Sequence, residues 1–296
     1  MGGGMFAVMS RKVGTSGKIW LRFSLATVLA AGAVLVQGCG SSEELAQLTV
    51  EQRFELAMKK FKDEDYLDAR EDFRVITLQF QGSALADDAQ FYFAECYFRR
   101  EEFTLAAYEY DLLVRAMPTS EYVARARYQR AMCYYEASRP YYLDQQETRR
   151  AVDEFQTFIE YHPTDSLVLD AEAKIAELNA KLARKEYENG ITYMHMEYYR
   201  AAVNSFDEVL EKYHDTPYAE QAHLKKVEAL VLRNRHGEAK AELQRFFSRY
   251  PNSRFKSDAE ELRKEIESKL SQGSSSADTR NRGTSGVQHI QGQEPR

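Results

Sequence analysis

The 296-residue chain is short of turn formers through most of its length. Of 15 glycines, eight lie in residues 1–40 and four in residues 271–296. Only Gly82, Gly190 and Gly237 remain between them, with five of the six prolines. A sheet protein needs Gly, Pro or Asn at a turn every few residues. The middle of this chain cannot supply them, which argues against a β-rich fold and predicts long helices with short connections. No Rossmann or P-loop glycine pattern occurs, so phosphate loops of those kinds are excluded. Cysteine is scarce as well: Cys39, Cys96 and Cys133. His162, His195, His214, His223 and His236 do not fall at metal-ligand spacing, and no His-Glu-x-x-His occurs. Neither a nucleophile elbow nor a catalytic Cys-His signature is present. The expectation is a protein that is not an enzyme and needs no cofactor or metal.

Net positive charge is also missing outside the N-terminus. Residues 1–38 carry Arg11, Lys12, Lys18 and Arg22 and no acid. The whole chain is at -6, so the remainder stands at -10. Such a body repels a phosphate backbone, and nucleic acid is not an expected partner.

What the N-terminus does have is an address. Phe23 to Val36 is a 14-residue apolar run behind a basic segment. That is shorter than the roughly 20 residues a membrane span needs, and it has the layout of a secretory signal. Val36-Gln37-Gly38-Cys39 follows and resembles a bacterial lipobox. Residues 1–38 are thus expected to be a signal peptide and Cys39 the lipid-attachment site. Residues 39–49 would link the anchor to the folded part. Gly40 is not the Asp that retains some lipoproteins in the inner membrane, which on that analogy favours the outer one.

The middle repeats. Ala69, Ala106, Ala151, Ala202 and Ala239 each begin an Ala-x3 step to Phe73, Tyr110, Phe155, Phe206 or Leu243. Twenty residues after each Ala stands another: Ala89, Ala126, Ala171, Ala222 and Ala259. Pro118, Pro163 and Pro251 lie twelve residues after the first Ala in three of the five. A small residue lets two helices approach, an aromatic one turn later fills the groove, and Pro ends the unit. Successive repeats measure 37, 45, 51 and 37 residues, close to the tetratricopeptide (TPR) period of 34. An insertion around Arg139–Thr148 explains the 45-residue step, and a long helix from Ala171 to Met196 the 51-residue one. The expected fold is an all-α TPR-like helical-hairpin solenoid of five repeats, three plus two, joined by that helix. Its N-terminal half would span 50–165 and its C-terminal half 166–270. Residues 271–296 hold no aromatic and only Val287 and Ile290 as large aliphatics, so they are expected to be a disordered tail.

Some segments are more particular. Arg139-Pro140, Asp144-Gln145, Thr148, Ala151, Phe155, Phe158-Ile159 and His162-Pro163 form one. Lys185-Glu186, Tyr193, Tyr199-Arg200-Ala201-Ala202-Val203, Phe206, Val209-Leu210, Tyr213 and Thr216-Pro217-Tyr218-Ala219 form another. With Cys39, these resemble the BamD (ComL-type) family of outer-membrane-protein assembly lipoproteins, over roughly residues 39–270. His214-Asp215 departs from the family's Tyr-Pro-Asp, and Gln81 stands where the first repeat has Pro. The resemblance implies a non-enzymatic scaffold of the β-barrel assembly machinery, lipid-anchored in the outer membrane and facing the periplasm. It implies C-terminal repeats that dock on the periplasmic domains of a BamA-like barrel subunit. The N-terminal repeats would receive unfolded outer-membrane proteins. The alternative is another periplasmic TPR lipoprotein, coordinating cell-wall synthesis or pilus and secretin assembly. The insertion and the long helix weigh against it.

Phe54/Phe61, Phe91/Phe98 and Tyr128/Tyr135 recur 37 residues apart, each pair separated by seven. Two turns apart means one helical face. Such a ladder could grip an extended, aromatic-ended peptide, and it is the candidate peptide-binding groove. The same spacing fits an inter-repeat core interleaved with Ala57, Ala94 and Ala131. Cys96 and Cys133 occupy one repeat position and are expected to be reduced, buried thiols, because adjacent helix axes sit farther apart than a disulfide spans.

Overall fold

The computed structural model describes residues 48–284, with side chains to Gln272. The expected signal peptide, most of the linker with Cys39, and residues 285–296 lie outside the described part. Within it the chain is eleven α-helices and no strand. They form five antiparallel hairpins and a closing helix. The hairpins are α1 (Val50–Lys62) with α2 (Tyr66–Gln79), α3 (Ala86–Arg99) with α4 (Phe103–Ala116), and α5 (Val123–Glu136) with α6 (Gln146–Tyr161). Then come α7 (Val168–His195) with α8 (Tyr199–Lys212), α9 (Ala219–Leu232) with α10 (His236–Arg249), and the closing α11 (Lys256–Thr284). Each helix packs on the next in sequence, as a solenoid requires.

Local chemistry sets the boundaries. Thr49 and Gln52 form a reciprocal capping box at the start of α1. Later first helices are entered by one repeated turn. Ser83, Ser120 and Ser253 Oγ accept from the backbone N–H two residues on, at 3.1, 3.1 and 2.9 Å. Asp165 does the same to Leu167 at 2.8 Å. Within hairpins one, two, four and five, the two helices are joined by three residues whose middle one has positive φ: Glu64, Glu101, Glu197 and Asn234. Glycine usually takes that left-handed position, so three glutamates there carry backbone strain. Pro118, Pro163 and Pro251 each fall two residues past a second helix, where no further N–H is needed.

The repeat positions read from the sequence are the packing positions. All ten repeat alanines are 0% exposed. Phe73, Tyr110, Phe155 and Phe206 are fully buried one turn on, and Leu243 nearly so. The core falls into three clusters. The first joins α1, α2 and α3 around Phe73. The second runs from Phe91 to Leu178 and the third from Ala183 to Ile266. Helix α7 therefore serves two cores: Ala171 and Leu178 belong to one, Ala183 to the other. Gly190 lies where α1, α3 and α5 carry Ala57, Ala94 and Ala131. A Cβ at Gly190 would stand 2.4 Å from the ring of Phe206, so α8 approaches α7 there as only glycine allows.

One boundary differs from the sequence reading. The expected disordered tail begins at 271, yet α11 runs through that point to Thr284. No proline interrupts residues 256–284, so backbone hydrogen bonding carries the helix past Leu270, its last residue packed on the core.

Candidate functional site

The aromatic ladder lies on the first helices α1, α3 and α5, as its seven-residue spacing demands. The structure does not leave it as an open row. Phe91 is 1% exposed and Tyr128 9%, so both are core residues rather than walls of a groove. Phe91 stacks on Tyr122 at 4.6 Å between ring centroids, and Tyr128 meets Phe155 and Phe158 edge-on. The other four are half-buried. Phe54 and Phe61 both pack edge-on against Tyr92 of the next hairpin, at 6.3 and 5.4 Å. Phe98 meets Phe103, and Tyr135 meets Phe155. The physical reason is the stacking itself, because a first helix is enclosed by its own second helix and by the next repeat.

The tyrosines of this region add a polar layer between repeats. Tyr122 OH donates to Asp88 at 2.7 Å and Tyr135 OH to Glu177 at 2.8 Å. Tyr128 OH donates to Asp170, and within the second hairpin Tyr110 OH donates to the buried Glu95 at 2.6 Å. The hydrogen bond to Glu177 pushes the Tyr135 hydroxyl up to about 12. Burial, with the Asp170 contact, pushes Tyr128 well above its ordinary value. Cys96 and Cys133 are both buried and unpaired. Burial raises the Cys96 thiol to about 12 and Cys133 further, so neither is a ready nucleophile.

A second polar device went unread in the sequence. Residues 19 apart clasp the two helices of a hairpin: Arg53 to Asp72 at 2.9 Å and Gln90 to Glu109 at 2.9 Å. In the last hairpin His223 Nε2 sits 2.8 Å from Glu242 Oε1, off the ideal hydrogen-bond line. Lys226 and Arg245 also reach Glu242, at 3.0 and 2.9 Å. His223, then Lys226, hold the Glu242 carboxyl down at about 2. The fixed spacing of 19 was the signal available. It is weak, because each pair uses different residue types.

Exposed apolar surface gathers at the turn between α7 and α8. Met196 and Tyr198 project there, Tyr198 at 63% exposure, beside Tyr199, Arg200, Asn204 and Arg233 around a hollow of about 500 Å³. Among the described residues no group of His, Cys, Asp or Glu is arranged to hold a metal. No described helix is long and apolar enough to cross a membrane.

A family model described as an outer membrane lipoprotein, YfiO, matches residues 46–235, which takes in α1 to α9. The chain belongs to the YfiO family of outer membrane lipoproteins. A tetratricopeptide repeat model matches residues 221–253, over α9 and α10. Among relatives, the outer membrane protein assembly factor BamD of Rickettsia prowazekii is 29% identical over 245 residues, covering 80% of this chain and 95% of the relative. BamD of Caulobacter vibrioides is 24% identical over 244 residues, covering 81% and 79%. Among solved structures, the yeast Sti1 TPR2AB domain with pHSP90 overlays at a TM-score of 0.37 and 13% identity, across 78% of this chain and 95% of that one.

Proposed function

We propose that this protein is a non-enzymatic scaffold of outer-membrane β-barrel assembly. In this reading the chain is tethered by lipid on Cys39 to the outer membrane and faces the periplasm. The hairpins α1–α6 receive unfolded outer-membrane proteins. The later hairpins dock the periplasmic domains of a BamA-like barrel subunit, with the Met196–Tyr198 turn as the contact. The observation that carries the reading is the family match running through α1 to α9, with two BamD relatives aligned over four-fifths of the chain. The hollow beside Tyr198 adds support. It joins exposed aromatic area to Arg200 and Arg233, the residue types that dominate interface hot spots.

The test is purification of the full chain from membranes in mild detergent, followed by identification of what comes with it. A barrel protein with repeated periplasmic domains is expected, and Tyr198→Ser should reduce its recovery about tenfold. Secretin or peptidoglycan-synthase partners in its place would overturn the reading. Acyl chains should appear on Cys39 by mass spectrometry and vanish in Cys39→Ser.

A further inference from the structure

The insertion between α5 and α6 is a rigid platform. Gln145 is fully buried, and its Nε2 lies 2.8 Å from the carbonyl oxygen of Pro140 and 3.1 Å from those of Leu143 and Asp144. Its Oε1 accepts from Thr148 at 2.8 Å. One buried side chain thus gathers the loop's carbonyls from within. Helix α7 grips the loop from outside. Lys185 donates to the Leu143 carbonyl, Lys181 to Ser138 Oγ at 2.9 Å, and the Arg184 guanidinium lies 4.0 Å from the centre of the Tyr141 ring. Despite this immobilisation, the tip shows apolar surface: Tyr142 is 68% exposed and Leu143 42%.

The surroundings are basic in an acidic protein. Residues 139–150 and 181–185 hold Arg139, Arg149, Arg150, Lys181, Arg184 and Lys185 against Asp144 and Glu147. None of these six cations forms an ion pair with a described carboxylate; they meet rings, a hydroxyl and a carbonyl, or face solvent. Arg130, by contrast, lies between Asp111 and Glu154. A positive field with an aromatic-aliphatic tip fits a negatively charged segment that also carries apolar side chains. Holding the tip in place beforehand removes the ordering cost that a floppy loop would meet on binding. Tyr and Arg supply most of the energy in such contacts.

We infer that the Arg139–Gln145 loop and the adjoining face of α7 form a docking surface for an acidic, apolar-studded segment of a partner protein. This surface is separate from the Tyr198 turn and does not depend on the function proposed above.

The test uses the full chain purified in neutral detergent and two short fluorescein-labelled peptides, one alternating Glu and Leu, the other Gln and Leu. Fluorescence anisotropy is expected to show the acidic peptide binding at least about tenfold tighter, and losing affinity as salt is raised. Tyr142→Ser and Arg139→Glu, both at exposed positions, should each weaken binding about tenfold with thermal unfolding unchanged. Equal affinity for the two peptides, no binding, or unaltered affinity in both variants would overturn the inference. So would displacement of the acidic peptide by phosphatidylglycerol added to the micelles, which would make the surface a lipid site.

Discussion

The hairpins before α7 and those after it share one backbone plan and are held by different chemistry. The earlier ones stack aromatic rings between repeats and tie them with tyrosine hydroxyls to carboxylates: Tyr122 to Asp88, Tyr135 to Glu177. The later ones place Leu224 and Val231 where α3 and α5 have rings, and centre a charge cluster on one carboxylate. There Glu242 gathers His223, Lys226 and Arg245, and Lys226 also reaches Asp207 at 2.7 Å. The difference teaches that a hairpin stack constrains the small positions far more tightly than the polar ones. Alanine is invariant at the ten close approaches within this chain, while the polar links change type from one hairpin to the next.

The comparison breaks most visibly in the cores. Phe155→Ala should cost about 4 kcal/mol and Leu243→Ala about 3 kcal/mol, by the usual size of large-to-small losses at fully buried sites. Denaturant unfolding monitored with site-specific hydrogen exchange measures both. Each loss should localise to its own side of α7; a uniform loss along the chain would mean the two cores act as one. Gly190→Ala tests the junction, since its Cβ meets Phe206 at 2.4 Å. The strain outweighs the better helix propensity of alanine, so a net loss of about 2 kcal/mol is expected in the same measurement.

Acid and alkali should then separate the regions. The Glu242 carboxyl is held down at about 2 by His223 and Lys226, so its contribution is whole above the ordinary carboxylate range. It is lost as pH falls from that range toward about 2. Glu242→Gln should flatten that acid slope. Tyr128 is shifted upward by burial and by Asp170, so its contribution is whole below its ordinary value and lost as pH climbs past it. Tyr128→Phe should flatten that alkaline slope and leave the acid one alone. Urea midpoints across pH measure both. The smallest effect concerns the shared turns: Glu64→Gly, at φ 63°, should gain about 0.5 kcal/mol or slightly more by relieving left-handed strain.

Much of the fold was legible because alanine, aromatic and proline recur at fixed offsets, and the insertion and the long helix showed up as departures from the period. The site was less legible. Phe91 and Tyr128 share a face with Phe54 and Phe98, and spacing says which residues share a face but not what covers it. The Tyr135 to Glu177 link joins residues 42 apart in successive hairpins, so it depends on how one repeat is rotated against the next. Gln145 stands out in the sequence only as part of the family-like Asp144-Gln145 segment; the closed loop alone makes its amide the loop's centre.

By itself the sequence determined the helices, their pairing and the small residues at each close approach, because these follow from local periodicity and from the volume of single side chains. The tertiary structure alone decided which aromatics are enclosed, which carboxylate each hydroxyl and cation reaches, and that α7 serves two cores. Those outcomes depend on angles between stacked repeats, which no single repeat encodes.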